Sequence, residues 1–164
     1  IFFLIISFYS VFSLRNGYID LTTTFYAVLI ICISTDIGGY VFGKLFKGPK
    51  LTKVSPNKTY SGMVGAYLLS ITTIYIFINN PINLNIFNIQ IDKGMEFNKE
   101  ILLFTIIMST TSQLGDLIVS FFKRISNLKN TGKLIPGHGG LLDRIDGMIF
   151  AIPFSYFILK INIF

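Results

Sequence analysis

The sequence predicts an all-α, polytopic membrane bundle of about five helices with a polar cavity facing the cytoplasm. Three observations predict it. Hydrophobic residues make up 52% of the 164-residue chain and charged residues only 13%, and the mean hydropathy is +0.66, more apolar surface than a soluble domain of this size needs for one core. Four apolar stretches approach or exceed the ~20 residues that cross a bilayer. Carboxylates nevertheless interrupt those stretches, all toward one end.

Taken in order, the opening "IFFLIISFYSVFSL" is apolar for 14 residues, with no Met and no basic residue before it. It does not read as a signal peptide; it reads as the tail of a helix already begun, with a half-span or an interfacial helix as the alternatives. The expected spans follow at Leu21 to Gly43, Ser61 to Ile78, Ile101 to Phe122 and Leu141 to about Ile161. The polar stretch from Asn79 to Glu100 reads as an exterior loop. Cys32, alone in the sequence and inside a span, excludes an internal disulfide and a cysteine-based metal site.

The net charge of +6 is unevenly placed. Lys44, Lys47, Lys50, Lys53 and Lys58 lie in one connection without an acid, and Lys123, Arg124, Lys129 and Lys133 in another. Basic loops stay cytoplasmic, so these two share that side, while the balanced 15–20 turn and the 79–100 segment, with Asp92, Lys93, Glu96, Lys99 and Glu100, face away. The basic loops read either as orienting groups resting on anionic lipid or as groups that also neutralise a polyphosphate. No nucleic-acid partner is expected.

Asp36 and Asp116 each precede a basic cytoplasmic end by seven or eight residues, which places them on the order of 10–12 Å inside the helix end. An ionised carboxylate at that depth costs several kcal/mol unless it faces water, a cation or a partner. Asp116 continues a polar face of Ser109, Ser112 and Gln113, and Asp143 and Asp146, three apart, share a face of the next helix. Two helices thus offer carboxylates at one level, a donor set suited to Mg²⁺ and not to zinc, since His138 has no second His or Cys nearby. The plain alternative is a set of internal salt bridges, with Arg144 on Asp143 or Asp146 and Arg124 on Asp116.

In "PGHGG", residues 136–140, glycines permit close approach of a ligand to backbone, and a helix starting near Leu141 would turn its amino-terminal NH groups toward an anion. His138 is read equally as a loop hydrogen bonder or as a phosphate contact. "GGYVFGKL" has P-loop-like spacing, but Leu45 stands where a metal-binding hydroxyl is required and no strand precedes it. Its Gly39 and Gly43 fit close helix packing better. "NKT" at Asn57 lies in a cytoplasmic loop and is not read as a glycosylation site.

The stretch Ser120 to Asp146, "SFFKRISNLKNTGKLIPGHGGLLDRID", resembles the signature of phosphatidate cytidylyltransferases, also called CDP-diacylglycerol synthases. "QLGDL" at Gln113 to Leu117 and "TDIGGYVFGKLFKGPKLTKVSPNKTYSG" at Thr35 to Gly62 resemble two further stretches of that family. The resemblance implies a single membrane domain over 1–164, the C-terminal part of a larger fold with upstream helices. It implies a nucleotidyltransferase of the bacterial cytoplasmic membrane that makes CDP-diacylglycerol and pyrophosphate from CTP and phosphatidate, with Mg²⁺ and room for a second cation. Asp116 and Asp143 would be the metal-binding aspartates. Lys123, Arg124, His138, Arg144 and Asp146 belong to the signature without divided roles. Asp36, Lys58, Thr59, Lys129, Gly139 and Gly140 would lie near the nucleotide or its phosphates. The sequence departs from the pattern at Asn130, where the signature has Asp, and at Ser61, where many members have an acid. An Asn keeps a carbonyl ligand and loses the charge, so a weakened cation site or an inactive relative is one consequence to test.

The reaction so implied is attack of a phosphatidate oxygen on the α-phosphorus of CTP. It needs positioning and charge neutralisation more than a dedicated base, because a phosphomonoester is largely doubly ionised near neutrality. Two other readings stand beside it: cytidylyl transfer to another lipid phosphate, such as that of an isoprenoid ether lipid, and ion or proton transport through the membrane aspartates. A homodimer is compatible with either enzyme reading.

Overall fold

The structure is a computed structural model that describes residues 2–16, 19–52, 55, 58–79, 97–127 and 142–161, with side chains for all of these except 2, 3, 19–21 and 142–144. Among the described residues five helices follow one another: α1 (Phe2–Arg15), α2 (Ile19–Phe46), α3 (Tyr60–Asn79), α4 (Lys99–Ile125) and α5 (Leu142–Lys160). The all-α expectation holds. The number of spans is corrected: three helices among the described residues, within Thr22–Phe46, Tyr60–Asn79 and Lys99–Ile125, are long and apolar enough to cross a membrane, in place of about five. The reasons are physical. At 14 residues α1 rises only about 21 Å, and α5 has Asp143, Arg144 and Asp146 among its first five residues.

Capping and charge explain where the helices begin and end. The Asn98 side chain accepts a hydrogen bond from the Ile101 amide at 2.9 Å and starts α4, and the Thr59 hydroxyl accepts one from Gly62 N at 3.1 Å and starts α3. Lys44 ends α2 and Lys123 and Arg124 end α4, cations where the helix dipole favours them.

Two pairs dominate the packing, α2 with α3 and α4 with α5, while α1 lies against α5 and α2. Small residues set the first pair's distance. A Cβ on Gly38 would stand 2.6 Å from the Gly65 carbonyl oxygen and 2.9 Å from Ala66 Cα. The expected close packing of this stretch is therefore found: a Cβ on Gly62 would stand 2.6 Å from the Gly39 carbonyl oxygen, and one on Gly65 would run into Phe42 Cβ. The second pair meets where Gly147 lies against Ser112, whose oxygen would be 2.5 Å from a Cβ there.

Hydrogen bonds between helices replace some of the hydrophobic drive that lipid does not supply. Thr35 donates to Ser109 Oγ at 2.9 Å (α2 to α4), and the Tyr67 and Thr110 hydroxyls pair at 2.9 Å (α3 to α4). Pro153 lies inside α5 and cannot donate to the carbonyl four residues back, that of Ile149. The Ser7 hydroxyl of α1 donates to that carbonyl at 2.9 Å, so a bond lost within one helix is regained from another. The apolar core gathers Val28, Ile31, Cys32, Ile74, Met108, Ala151 and Ile152. Large apolar side chains such as Ile33, Ile37, Leu68, Ile76 and Leu103 point outward, as lipid-facing residues do.

Candidate active site

The polar cavity expected from the misplaced carboxylates is present. It has a volume of about 340 Å³ and is lined from α2 by Thr35, Asp36, Gly39 and Tyr40, from the α2–α3 connection by Leu51, Ser55, Lys58 and Thr59, and from α3 by Gly62, Met63 and Ala66. Gln113 and Asp116 of α4 and Asp146 of α5 complete it. That volume falls in the range of small-molecule sites.

The connection between α2 and α3 folds back on itself. Lys50 and Thr59 form an isolated antiparallel bridge, Leu51 N donates to Lys58 O at 2.8 Å, Lys58 N to Ser55 O at 3.1 Å, and Tyr60 N to Pro49 O at 3.1 Å. Lys47 turns the chain out of α2 in the left-handed region, with φ 44°. The result projects the Lys58 side chain across to α4, where its ammonium pairs with Asp116 and donates to the Gln113 carbonyl at 3.4 Å. Thr59 caps α3 with the same hydroxyl that lines the cavity and shares a 3.0 Å hydrogen bond with Ser61.

On α4, Ser120 donates to Asp116 Oδ1 at 3.4 Å. Asp146, one turn into α5, is buried and accepts from Gly147 N at 3.0 Å. Its carboxylate lies close enough to that of Asp116 to interact directly, and Lys123 Nζ stands 3.8 Å from its other oxygen. Two carboxylates side by side repel, and each has a lysine: Lys58 on Asp116, Lys123 on Asp146. The pairings differ from those weighed in the sequence, where Arg124 stood opposite Asp116; Arg124 is exposed at the end of α4 and does not line the cavity. Beneath the carboxylates the buried hydroxyls of Thr35 and Ser109 and the Gln113 amide, 3.4 Å from Ser109 Oγ, form a polar floor.

Of the residues singled out in the sequence, the fold thus brings together Asp36, Lys58, Thr59, Asp116, Lys123 and Asp146. Asp143 and Arg144 lie in α5, with side chains outside the described residues, and Lys129, Asn130, His138, Gly139 and Gly140 lie outside them altogether. Tyr40 and Ser55, inside the Thr35 to Gly62 stretch but without an assigned role, and Met63, which sequence reasoning passed over, also line the cavity. Tyr40 and Met63 fall one turn from Asp36 and Thr59 respectively, and helical spacing from those two residues is the signal that could have found them.

The sequence model of the cytidylyltransferase family matches residues 1–162. The phosphatidate cytidylyltransferase of Staphylococcus haemolyticus is 42% identical over 130 residues, covering 78% of this chain and 45% of that protein. That of Bacillus subtilis is 38% identical over 143 residues, 86% of this chain and 48% of the relative, and that of Rickettsia bellii 40% identical over 138 residues, 80% and 56%. The chain spans about half the length of the curated relatives it matches.

Proposed function

The chain belongs to the cytidylyltransferase family, and from that premise we propose that its cavity transfers the cytidylyl group of CTP to phosphatidate, giving CDP-diacylglycerol and pyrophosphate. The observation that carries this reading is the convergence of Asp116 and Asp146, from two helices, with Lys58 in one polar cavity among membrane-length helices, and with Lys123 paired to Asp146 beside it. Acids and ammonium groups in alternation suit a reaction between two anions, because each phosphate needs a counter-charge and each counter-charge must be held.

The donor set fits a hard divalent cation such as Mg²⁺: paired carboxylate oxygens reached from a polar cavity. Asp116 and Asp146 would hold it, and Asp143, three residues earlier on α5, belongs to the same proposed set. When bound, the cation supplies neutralisation of charge on the phosphates. The chain's own groups do the rest. Lys58 and Lys123 offset the charge that grows on the departing pyrophosphate, Gly147 N and Ser120 Oγ fix the two carboxylates, and the Thr35–Ser109–Gln113 floor holds α4 in register with α2. The bond that forms joins a phosphatidate oxygen to the α-phosphorus, and the bond that breaks releases pyrophosphate.

We further infer that the cavity opens to the cytoplasm. The basic 44–58 connection and the end of α4 with Lys123 and Arg124 meet at one end of the bundle, which supports the shared side expected from their charge. Toward the opposite end a smaller cavity of about 190 Å³ is lined almost wholly by apolar side chains, among them Ile74, Phe77, Ile101 and Phe104, with Glu100 at it; the buried core of Ile31, Cys32 and Met108 suits a one-sided site better than a continuous polar path. His138, Arg144, Lys129, Gly139 and Gly140 are proposed to complete the nucleotide site from the α4–α5 connection and the start of α5.

The test is formation of CDP-diacylglycerol by the purified full-length protein from CTP and phosphatidate, with an isoprenoid lipid phosphate as the parallel acceptor. Product from phosphatidate in the presence of Mg²⁺ is expected. Product from the isoprenoid lipid alone would move the assignment to another lipid phosphate, and no product from folded protein would reject both.

A further inference from the structure

We propose that Lys58 is a resident counter-ion of Asp116, which a divalent cation must displace, and that the ammonium so released is the group presented to the nucleotide's phosphates. The inference rests on the cation site and nucleotide site proposed above.

Three observations carry it. The Lys58 ammonium pairs with the Asp116 oxygen opposite the one that accepts from Ser120, so it occupies a carboxylate oxygen that a cation would need. Its second contact, to the Gln113 carbonyl, is long at 3.4 Å, and an ammonium has three donors. Lys58 lines the cavity, with about a quarter of its side chain accessible, so the third donor has solvent or substrate to address. Finally, the side chain is not what holds the loop. The Lys58 backbone is fixed by Leu51 N and Ser55 O and its neighbour Thr59 caps α3, which leaves the four-carbon stem able to swing while its root stays in place.

Electrostatics supplies the exchange. Without a cation, Asp116 and Asp146 repel each other, and Lys58 with Lys123 offsets that repulsion. A divalent cation on the same oxygens repels an ammonium a few ångströms away, so the two are alternatives on Asp116. Lys123 is not on the Asp116 oxygen; it stands 3.8 Å from Asp146, beyond hydrogen-bond length, and so has less to give up when a cation arrives. Lys58 then has a free charge at the cavity wall, where the anionic nucleotide enters. The site is thus kept electrically balanced before its cation arrives, and binding of the cation arms the phosphate contact.

The experiment follows Mn²⁺ binding to the full-length protein in detergent, without nucleotide, by the electron paramagnetic resonance signal of free Mn²⁺. Lys58→Met is expected to tighten Mn²⁺ binding about two- to fivefold, the order of effect of removing one part-exposed competing charge, whereas Lys58→Arg, which keeps a cation on Asp116, does not tighten it. In the wild-type protein, acetylation of Lys58 read by mass spectrometry is expected to rise with saturating Mn²⁺ and to fall when CTP follows; this measurement stands if Lys58→Met fails to fold. Unchanged or weaker Mn²⁺ binding in Lys58→Met, or Lys58 labelling indifferent to Mn²⁺, overturns the proposal while Asp116→Asn still abolishes binding and leaves the cation site intact. Mn²⁺ binding that survives Asp116→Asn overturns the cation site itself, and the proposal with it.

Discussion

Replacing Asp146 by Asn separates catalytic from structural roles, because the two make opposite demands on stability. The substitution keeps the shape and leaves an oxygen to accept from Gly147 N, now 3.0 Å away. It removes one charge from a row of four: Lys58, Asp116, Asp146, Lys123. The attraction lost, to Lys123 at 3.8 Å, is about 4 kcal/mol at an effective dielectric of ~20, and the repulsion relieved, from Asp116, has the opposite sign and a comparable size. The two nearly cancel, so the folded state should change by about 1 kcal/mol or less, or roughly 2–4 °C in melting temperature. A buried ion pair that serves structure alone would behave otherwise, losing roughly 3–5 kcal/mol when one partner goes. Turnover should fall at least about 100- to 1,000-fold, the usual effect of removing one preorganised electrostatic group. The assay is CTP-dependent lipid product formation beside a melting curve read by a thiol dye on Cys32, which is fully buried and so reacts on unfolding. Turnover within tenfold of wild type, or a melting point lowered by more than about 8 °C, would refute the reasoning.

Three further outcomes are expected. Chelation of divalent cations should abolish turnover of the full-length protein, and Mg²⁺ should restore it; activity that persists in chelator removes the cation from the proposal. Gly38→Ala places a methyl 2.6 Å from a backbone oxygen, an overpacking that should cost about 1–3 kcal/mol and lower the melting temperature with KM for CTP little changed. Ser7→Ala strands the Ile149 carbonyl left open by Pro153 and should cost about 1–3 kcal/mol, read as a lower melting point with turnover per folded molecule preserved.

The helices that build the site were legible because their apolar runs stop close to their caps: the expected spans from Leu21, Ser61 and Ile101 begin within two residues of α2, α3 and α4. The fourth was read as a span because its apolar tail outweighed its charged start, and the structure gives that start to the cavity through Asp146. The polar face of α4 was also legible, since Ser109, Ser112, Gln113 and Asp116 follow helical spacing. What was not legible was pairing. Lys58 reaches an acceptor 55 residues along the chain, and nothing in a lysine's neighbours says which carboxylate its stem will meet. The same holds for Ser7 and Ile149, 142 residues apart: the proline announces an unmet carbonyl, but only the docking of α1 supplies its donor.

The two tight helix pairs explain why the cavity lies where it does. Within α2–α3 the glycines bring backbones together, and within α4–α5 Gly147 does the same against Ser112; neither contact leaves room for a ligand. Between the pairs the packing is lighter; beside the apolar core that Ile31, Ile74, Met108 and Ile152 share across it, it is joined by hydroxyls and one ion pair: Thr35 with Ser109, Tyr67 with Thr110, Lys58 with Asp116. The cavity lies on that seam. Its carboxylates Asp116 and Asp146 belong to one pair, and Asp36, Tyr40, Lys58 and Thr59 to the other. A ligand on the seam therefore touches both pairs at once, and polar contacts across it can be exchanged at small cost because each is replaced by another polar contact. Apolar packing at the same place would have to be broken outright. The bundle thus keeps its rigidity within the pairs and its polar, exchangeable contacts between them.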